Sequence, residues 1–195
     1  MKAPLETHPW PPFTPPDAKV LIMGTFPPAA VRWSMDFYYP NRINDFWRIM
    51  GMIFFDNRDH FLLPDMRSFN LPQIKQFLTD KGIALGDTGH CVRRLKGNAS
   101  DKFLEIVTPV DLAALLERMP QCQVVATTGE KAAGVVAELT STTLPRMGGM
   151  VTTQWPDSRT LTITRMPSTS RAYPLAIAKK ADYYRLLMEA AGIIC

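Results

Sequence analysis

The stretch KVLIMGTFPPAAVRWSMDFYYPNRINDFWRIMG, residues 19–51, decides how the rest of the chain is read. It opens on a continuous apolar run, KVLIMGTF, stopped by Gly24 and Pro27. A run without polar alternation suits a strand buried on both faces, as in a parallel sheet. It closes on Phe46, Trp47, Ile49, Met50 and Ile53, which recur with the period of a helix. Strand, loop and helix in that order is half of a βαβ unit.

Outward from this stretch the same alternation repeats. GIALGD (82–87), QVVATTG (123–129) and TLTITRM (160–166) read as further buried parallel strands. Helical periods lie between them, at Ile74, Phe77 and Leu78, at Leu112, Leu115, Leu116 and Met119, and at Ala132, Val135, Val136 and Leu139. A last helix is expected from near Pro174, a residue suited to a first helical position, to a stop at Gly192. The pattern predicts an α/β fold, a three-layer α/β/α sandwich with a central, mostly parallel four-stranded sheet. Residues 19–195 form one domain in this reading. Residues 1–18 form a proline-rich N-terminal arm, with Pro4, Pro9, Pro11, Pro12, Pro15 and Pro16 opposing helix and Trp10 and Phe13 pinning it to the body.

Composition narrows the function classes. A chain of 195 residues, 46% hydrophobic, can bury one substantial core. The net charge of +4 modestly favours polyanions. Cys91, Cys122 and Cys195 are too few and too scattered for a disulfide framework, a zinc site or a four-thiolate cluster. Prolines occupy the region where a signal peptide needs an apolar helix, and no apolar run is long enough to span a bilayer. The expectation is a soluble, reduced, cytoplasmic protein without a metal and with no membrane partner.

In sheets of this kind ligands bind beyond the carboxyl ends of the strands. That rule selects the loops after Phe26, Asp87, Gly129 and Met166. In the first, Gly24 permits close backbone approach, and Trp33, Phe37, Tyr38 and Tyr39 stand near Asn44 and Asp45. Flat aromatics beside an amide suit a base-sized ligand, whereas Asn44 or Asp45 would equally serve as a helix N-cap. The second loop carries Arg93, Arg94 and Lys96, then Gly97, Asn98 and Ser100, a phosphate-binding composition or a solvated face. In the third, Thr128 and Gly129 open a helix, as a cap or an anion site. The fourth, with Ser168, Thr169, Ser170 and Arg171, reads as a phosphate clamp or a capped turn.

In this order the four loops resemble the uracil-DNA glycosylase superfamily, from about Lys19 to the final helix. GTFPP resembles its first motif. YYPNRINDFWRIMG is similar to the YYxxPRNxFWRI segment of the hypoxanthine-DNA glycosylase branch, GIALGDTGHCVRR and NASD to that branch's second strand and loop, and MPSTSRAY to the family's LPSTSPA loop. Three departures stand out. Thr25-Phe26-Pro27 lacks the Asp or Asn of the classical first motif, Ile43 and Arg42 alter the surroundings of the amide, and Arg171 replaces a proline.

The resemblance implies a monomeric, cofactor-free glycosylase without lyase activity, acting on DNA containing a damaged base, uracil or hypoxanthine. It assigns Asn44 to positioning the attacking water and Tyr39 to stacking on the flipped base. Gly24, Thr25 and Phe26 would bind the base, with backbone donors stabilising the departing anion. Arg93, Arg94 and the Ser168–Arg171 loop would hold the DNA backbone. Two other classes fit the same residues: an inactive nucleic-acid-binding module, and a hydrolase or transferase of free nucleosides or nucleotides.

Overall fold

The computed structural model describes residues 3–96 and 101–195. Gly97, Asn98 and Ser100 of the second loop lie outside the described residues. The central sheet has five strands in the order β3-β2-β6-β8-β7. These are β2 (Val20–Gly24), β3 (Ile83–Asp87), β6 (Val124–Thr128), β8 (Thr160–Met166) and β7 (Met150–Gln154). The four strands expected from the apolar runs are all present and mutually parallel. The expected count of four is corrected to five by β7, which adds antiparallel to the β8 edge. Its MVTTQ sequence alternates between exposed and half-buried positions, so it has no apolar run to betray it.

The period-two geometry of the strands divides the core. Val20, Ile22, Ile83, Leu85, Val124 and Ala126 face one layer, packed by α1 (Phe46–Phe55), α2 (Leu71–Lys81) and α5 (Ile177–Ala190). Leu21, Met23, Ala84, Val125, Leu161 and Ile163 face the other, covered by α3 (Leu112–Glu117) and α4 (Glu130–Leu139). This is the expected three-layer α/β/α sandwich. The last helix starts at Ile177, three residues after Pro174, because Tyr173–Ala176 are spent in the turn that closes the fourth loop.

A second, antiparallel sheet of order β1-β4-β5 joins β1 (Leu5–Thr7), β4 (Gly89–Arg94) and β5 (Leu104–Pro109). Its first strand comes from the N-terminal arm. Phe13 makes an isolated bridge to Leu85, donating and accepting at 2.9 Å, and Trp10 packs on Trp33 and Tyr38. The arm therefore runs along the rim formed by the carboxyl ends of β2 and β3.

Candidate active site

Every parallel strand of the central sheet ends on the same side, and a cavity of about 630 Å³ lies there. That volume is in the range of sites for small ligands. Its lining draws on the ends of β2, β3 and β6 and on the loops after β2 and β8, including Gly24, Tyr39, Asn44, Asp87, Thr128 and Ser168–Arg171. Of the eleven site residues expected from the sequence, nine line it: Gly24, Thr25, Phe26, Tyr39, Asn44, Ser168, Thr169, Ser170 and Arg171. Arg93 and Arg94 do not.

Asn44 precedes α1. Its Oδ1 accepts from the Phe46 backbone N–H at 2.9 Å. Only the amide oxygen can accept from an N–H, so this bond fixes the amide's orientation and leaves Nδ2 and one Oδ1 lone pair. Capping and cavity lining thus coexist in one residue. Asp45 occupies the N-cap position but makes no side-chain cap bond. Its carboxylate instead meets Lys180 Nζ at 2.8 Å. Lys180 is completely buried and also donates to the Ser170 carbonyl at 2.8 Å. With Asp45 N–H donating to Thr169 O at 2.9 Å, three segments are locked together: the start of α1, the fourth loop and α5.

Tyr39 has a left-handed backbone (φ 53°), uncommon for an aromatic residue. One face of its ring stacks on Phe46, with centroids 3.8 Å apart and planes within 12°, and the residue lines the cavity. Its hydroxyl is 3.4 Å from Thr128 Oγ1. Burial, then the nearby Asp87 carboxyl, raises the phenol well above its ordinary range, so it stays a neutral donor. Gly129, not Thr128, is the N-cap of α4.

The first loop is braced from outside. Arg94 donates through Nε to both Glu6 carboxylate oxygens at 3.0 and 3.1 Å, and through a terminal nitrogen to the Pro27 carbonyl at 2.6 Å. Its guanidinium also lies over Phe26. Arg93 pairs with Glu105 at 3.5 Å on the outer surface. Both arginines belong to β4, and Arg94 is occupied in supporting the proline loop from β1. The cations that do line the cavity are Arg32 and Arg171. Arg58 and Arg171 stand near Arg48: burial first, then these like charges, lower the pKa of Arg48. A neighbouring cavity of about 580 Å³ shares Asp101, Ser168 and Tyr173 with the first and adds Lys102, Lys131 and Arg165.

Sequence reasoning missed three groups. Asp87 ends β3 inside the cavity lining and is 8% exposed. His8 Nε2 lies 2.9 Å from its Oδ2. Desolvation raises the Asp87 pKa, against the lowering effects of His8 and the Gly24 backbone. Asp101, also raised by burial, accepts from Thr25 Oγ1 at 2.9 Å. Lys180 reads locally as a surface lysine on a helix. A carboxylate closing a buried apolar strand was the one available signal, since the strand rule already pointed to that end. The partners of all three are 76 or more residues away and have no local signature.

No family model and no curated protein matches the chain. Among solved structures, it is similar to the solution NMR structure of a "putative Uracil DNA glycosylase" from Methanosarcina acetivorans. The TM-score is 0.62 at 17% identity, over 97% of this chain and 99% of that one. At that identity the likeness is one of fold. Among the described residues, no helix is long and apolar enough to cross a membrane.

Proposed function

We propose that the chain is a DNA base-excision glycosylase of the uracil-DNA glycosylase superfamily, hydrolysing the N-glycosidic bond of a deaminated base, uracil or hypoxanthine. One observation carries the reading. Nine of the eleven residues that the family resemblance assigns to base binding, water positioning and backbone holding line one cavity, on a fold shared with a structure bearing that name.

In this mechanism the flipped base enters with one face on Tyr39. Water is held by Asn44, whose amide is fixed by the Phe46 N–H. As the C1′–N bond breaks, the electron pair leaves with the base and the sugar develops oxocarbenium character. The water oxygen bonds to C1′ and its proton passes to the departing base or to solvent. Backbone donors near Gly24 and Thr25 stabilise charge on the leaving base. The buried lysine beside the site, Lys180, is bound to Asp45 and the Ser170 carbonyl. That arrangement suits a bracing role rather than a nucleophile, in keeping with a glycosylase lacking lyase activity. Arg171 and Arg32 at the cavity, with Lys102, Lys131 and Arg165 beside it, replace Arg93 and Arg94 as the cations best placed for DNA phosphates.

The test is base release. Purified protein is incubated with labelled oligonucleotides carrying uracil or hypoxanthine, single-stranded and opposite each normal base, and alkali reveals abasic sites. The expected result is lesion-dependent alkali-labile cleavage, lost in Asn44→Ala. Salt-sensitive DNA binding without release from any lesion would favour a binding module instead.

A further inference from the structure

The first loop carries the most exposed large apolar side chain among the described residues. Val31 is 92% exposed, against 60% for Leu186, the next. It stands in a single 3-10 turn, Ala30–Arg32, that buries none of its residues. One exposed valine is ordinary on a protein surface. This one differs in what holds it and in where it stands.

The turn is braced although nothing covers its tip. Pro27 and Pro28 stiffen the chain that leads into it, and Arg94 donates to the Pro27 carbonyl at 2.6 Å. Within the turn, the Arg32 N–H donates to Ala29 O and the Trp33 N–H to Ala30 O, both at 2.9 Å. Trp33 then ties the turn down, its Nε1–H donating to the Pro28 carbonyl at 2.7 Å. Its ring packs on Trp10 of the N-terminal arm, with centroids 4.6 Å apart. A tip already ordered in the free protein has little conformational freedom left to lose on binding. Valine adds little more, because branching at Cβ restricts χ1.

The turn also flanks the cavity. Pro27, Pro28 and Arg32 line it, as does Ile43, a second exposed apolar side chain. Arg171 of the fourth loop brings another cation to the same lining. Apolar tips beside cations match the chemistry of a duplex from which one base has been drawn out. Phosphates flank such a gap, and its walls are the faces of bases that have lost a stacking neighbour. A single strand offers the phosphates but no enclosed gap.

We propose that the Ala30–Arg32 turn enters the base stack of double-stranded DNA, with Val31 filling the space left by the extruded nucleotide and Arg32 meeting an adjoining phosphate. The substrate is then duplex rather than single-stranded. The filled gap keeps the extruded base from returning. The inference rests on the base-excision reading for the extrusion of a base, but not on bond breaking.

Binding to DNA that already carries the gap tests it without catalysis. The full chain is titrated by fluorescence anisotropy against a labelled oligonucleotide bearing a stable abasic-site analogue, single-stranded and in duplex. The wild type is expected to bind the duplex roughly tenfold or more tightly than the single strand, the scale set by burying one valine side chain. Val31→Ala should narrow that ratio several-fold and Val31→Asp should abolish it, while Val31→Leu, which keeps an apolar tip, should retain it. Leu186→Asp, at an exposed apolar position outside the cavity lining, should leave the ratio intact. A wild-type ratio near one, or a ratio unmoved by Val31→Asp, would overturn the proposal. So would self-association abolished by Val31→Asp, which would assign the tip to a second copy of the chain. Val31-dependent duplex preference without base release from any lesion would instead bring down the catalytic reading and leave this one standing.

Discussion

Two buried carboxylates sit at the rim of the central sheet, each met by a cation-forming side chain from far along the chain. Asp45 is paired with Lys180 from α5. Asp87 is paired with His8 from the N-terminal arm. Their surroundings nevertheless give them different work. Asp45 does not line the cavity, and its partner also holds the Ser170 carbonyl, so the pair ties the amide-bearing start of α1 to the fourth loop. Asp87 lines the cavity and keeps one oxygen unengaged by its partner. Burial and pairing are common to both: what separates the two is that Asp87 lines the cavity and Asp45 does not.

Removing the cation of the first pair should have the largest effect. Lys180→Met strands the Asp45 carboxylate in the interior, at a cost of roughly 3–5 kcal/mol. For a chain of this size that lowers Tm by on the order of 10 °C. Adding Asp45→Asn should restore part of the loss. A Tm unmoved by Lys180→Met would remove the bracing role and with it the contrast.

Gly24→Ala attacks the second pair without touching either member. Its Cβ must displace Asp87 Oδ1, so base release is expected to fall about a hundredfold, as for a misplacement of about 1 Å, with a much smaller change in Tm than Lys180→Met. Equal losses of stability in the two variants would mean that both pairs are structural.

How much of this was legible in the sequence follows from the same contrast. The four parallel strands were legible because each is a continuous apolar run ended by glycine or a loop, and the place of Asn44, Tyr39 and residues 168–171 in the cavity lining because they follow the carboxyl ends of such strands. β7 was not, because an edge strand with one solvated face carries no such run. Nor was the small sheet, whose strands are short and polar and whose first member hides among prolines. The ion pairs of Arg93 with Glu105 and of Arg94 with Glu6 join neighbouring strands of the small sheet, and local composition does not show them. His8 and Lys180 were missed for that reason too.

The pH dependence sharpens the contrast further. The folded-state pKa of Asp87 is raised from 3.8 by burial. Its contribution to stability is therefore fully present below the unfolded value and is lost as pH climbs through the folded one. Asp87→Asn, which has no carboxylate to desolvate, should gain in Tm relative to wild type as pH is raised from about 4 towards neutrality. A difference that is flat, or that shrinks over this range, would contradict the environment described for Asp87. The smallest effect is expected at Arg93→Ala. Its pairing with Glu105 is surface-exposed, so stability should change by less than about 1 kcal/mol and base release should not change. A large loss of activity there would return β4 to the DNA-binding surface.

The central claim, hydrolytic excision of a base, is tested most directly by the products. Protein and a uracil- or hypoxanthine-containing oligonucleotide are incubated in ¹⁸O-labelled water and analysed by mass spectrometry. The account predicts free base, an intact strand with an abasic site carrying one ¹⁸O at C1′, and neither product with Asn44→Ala. Absence of free base under conditions where the oligonucleotide is bound, or a strand broken without alkali, would contradict it.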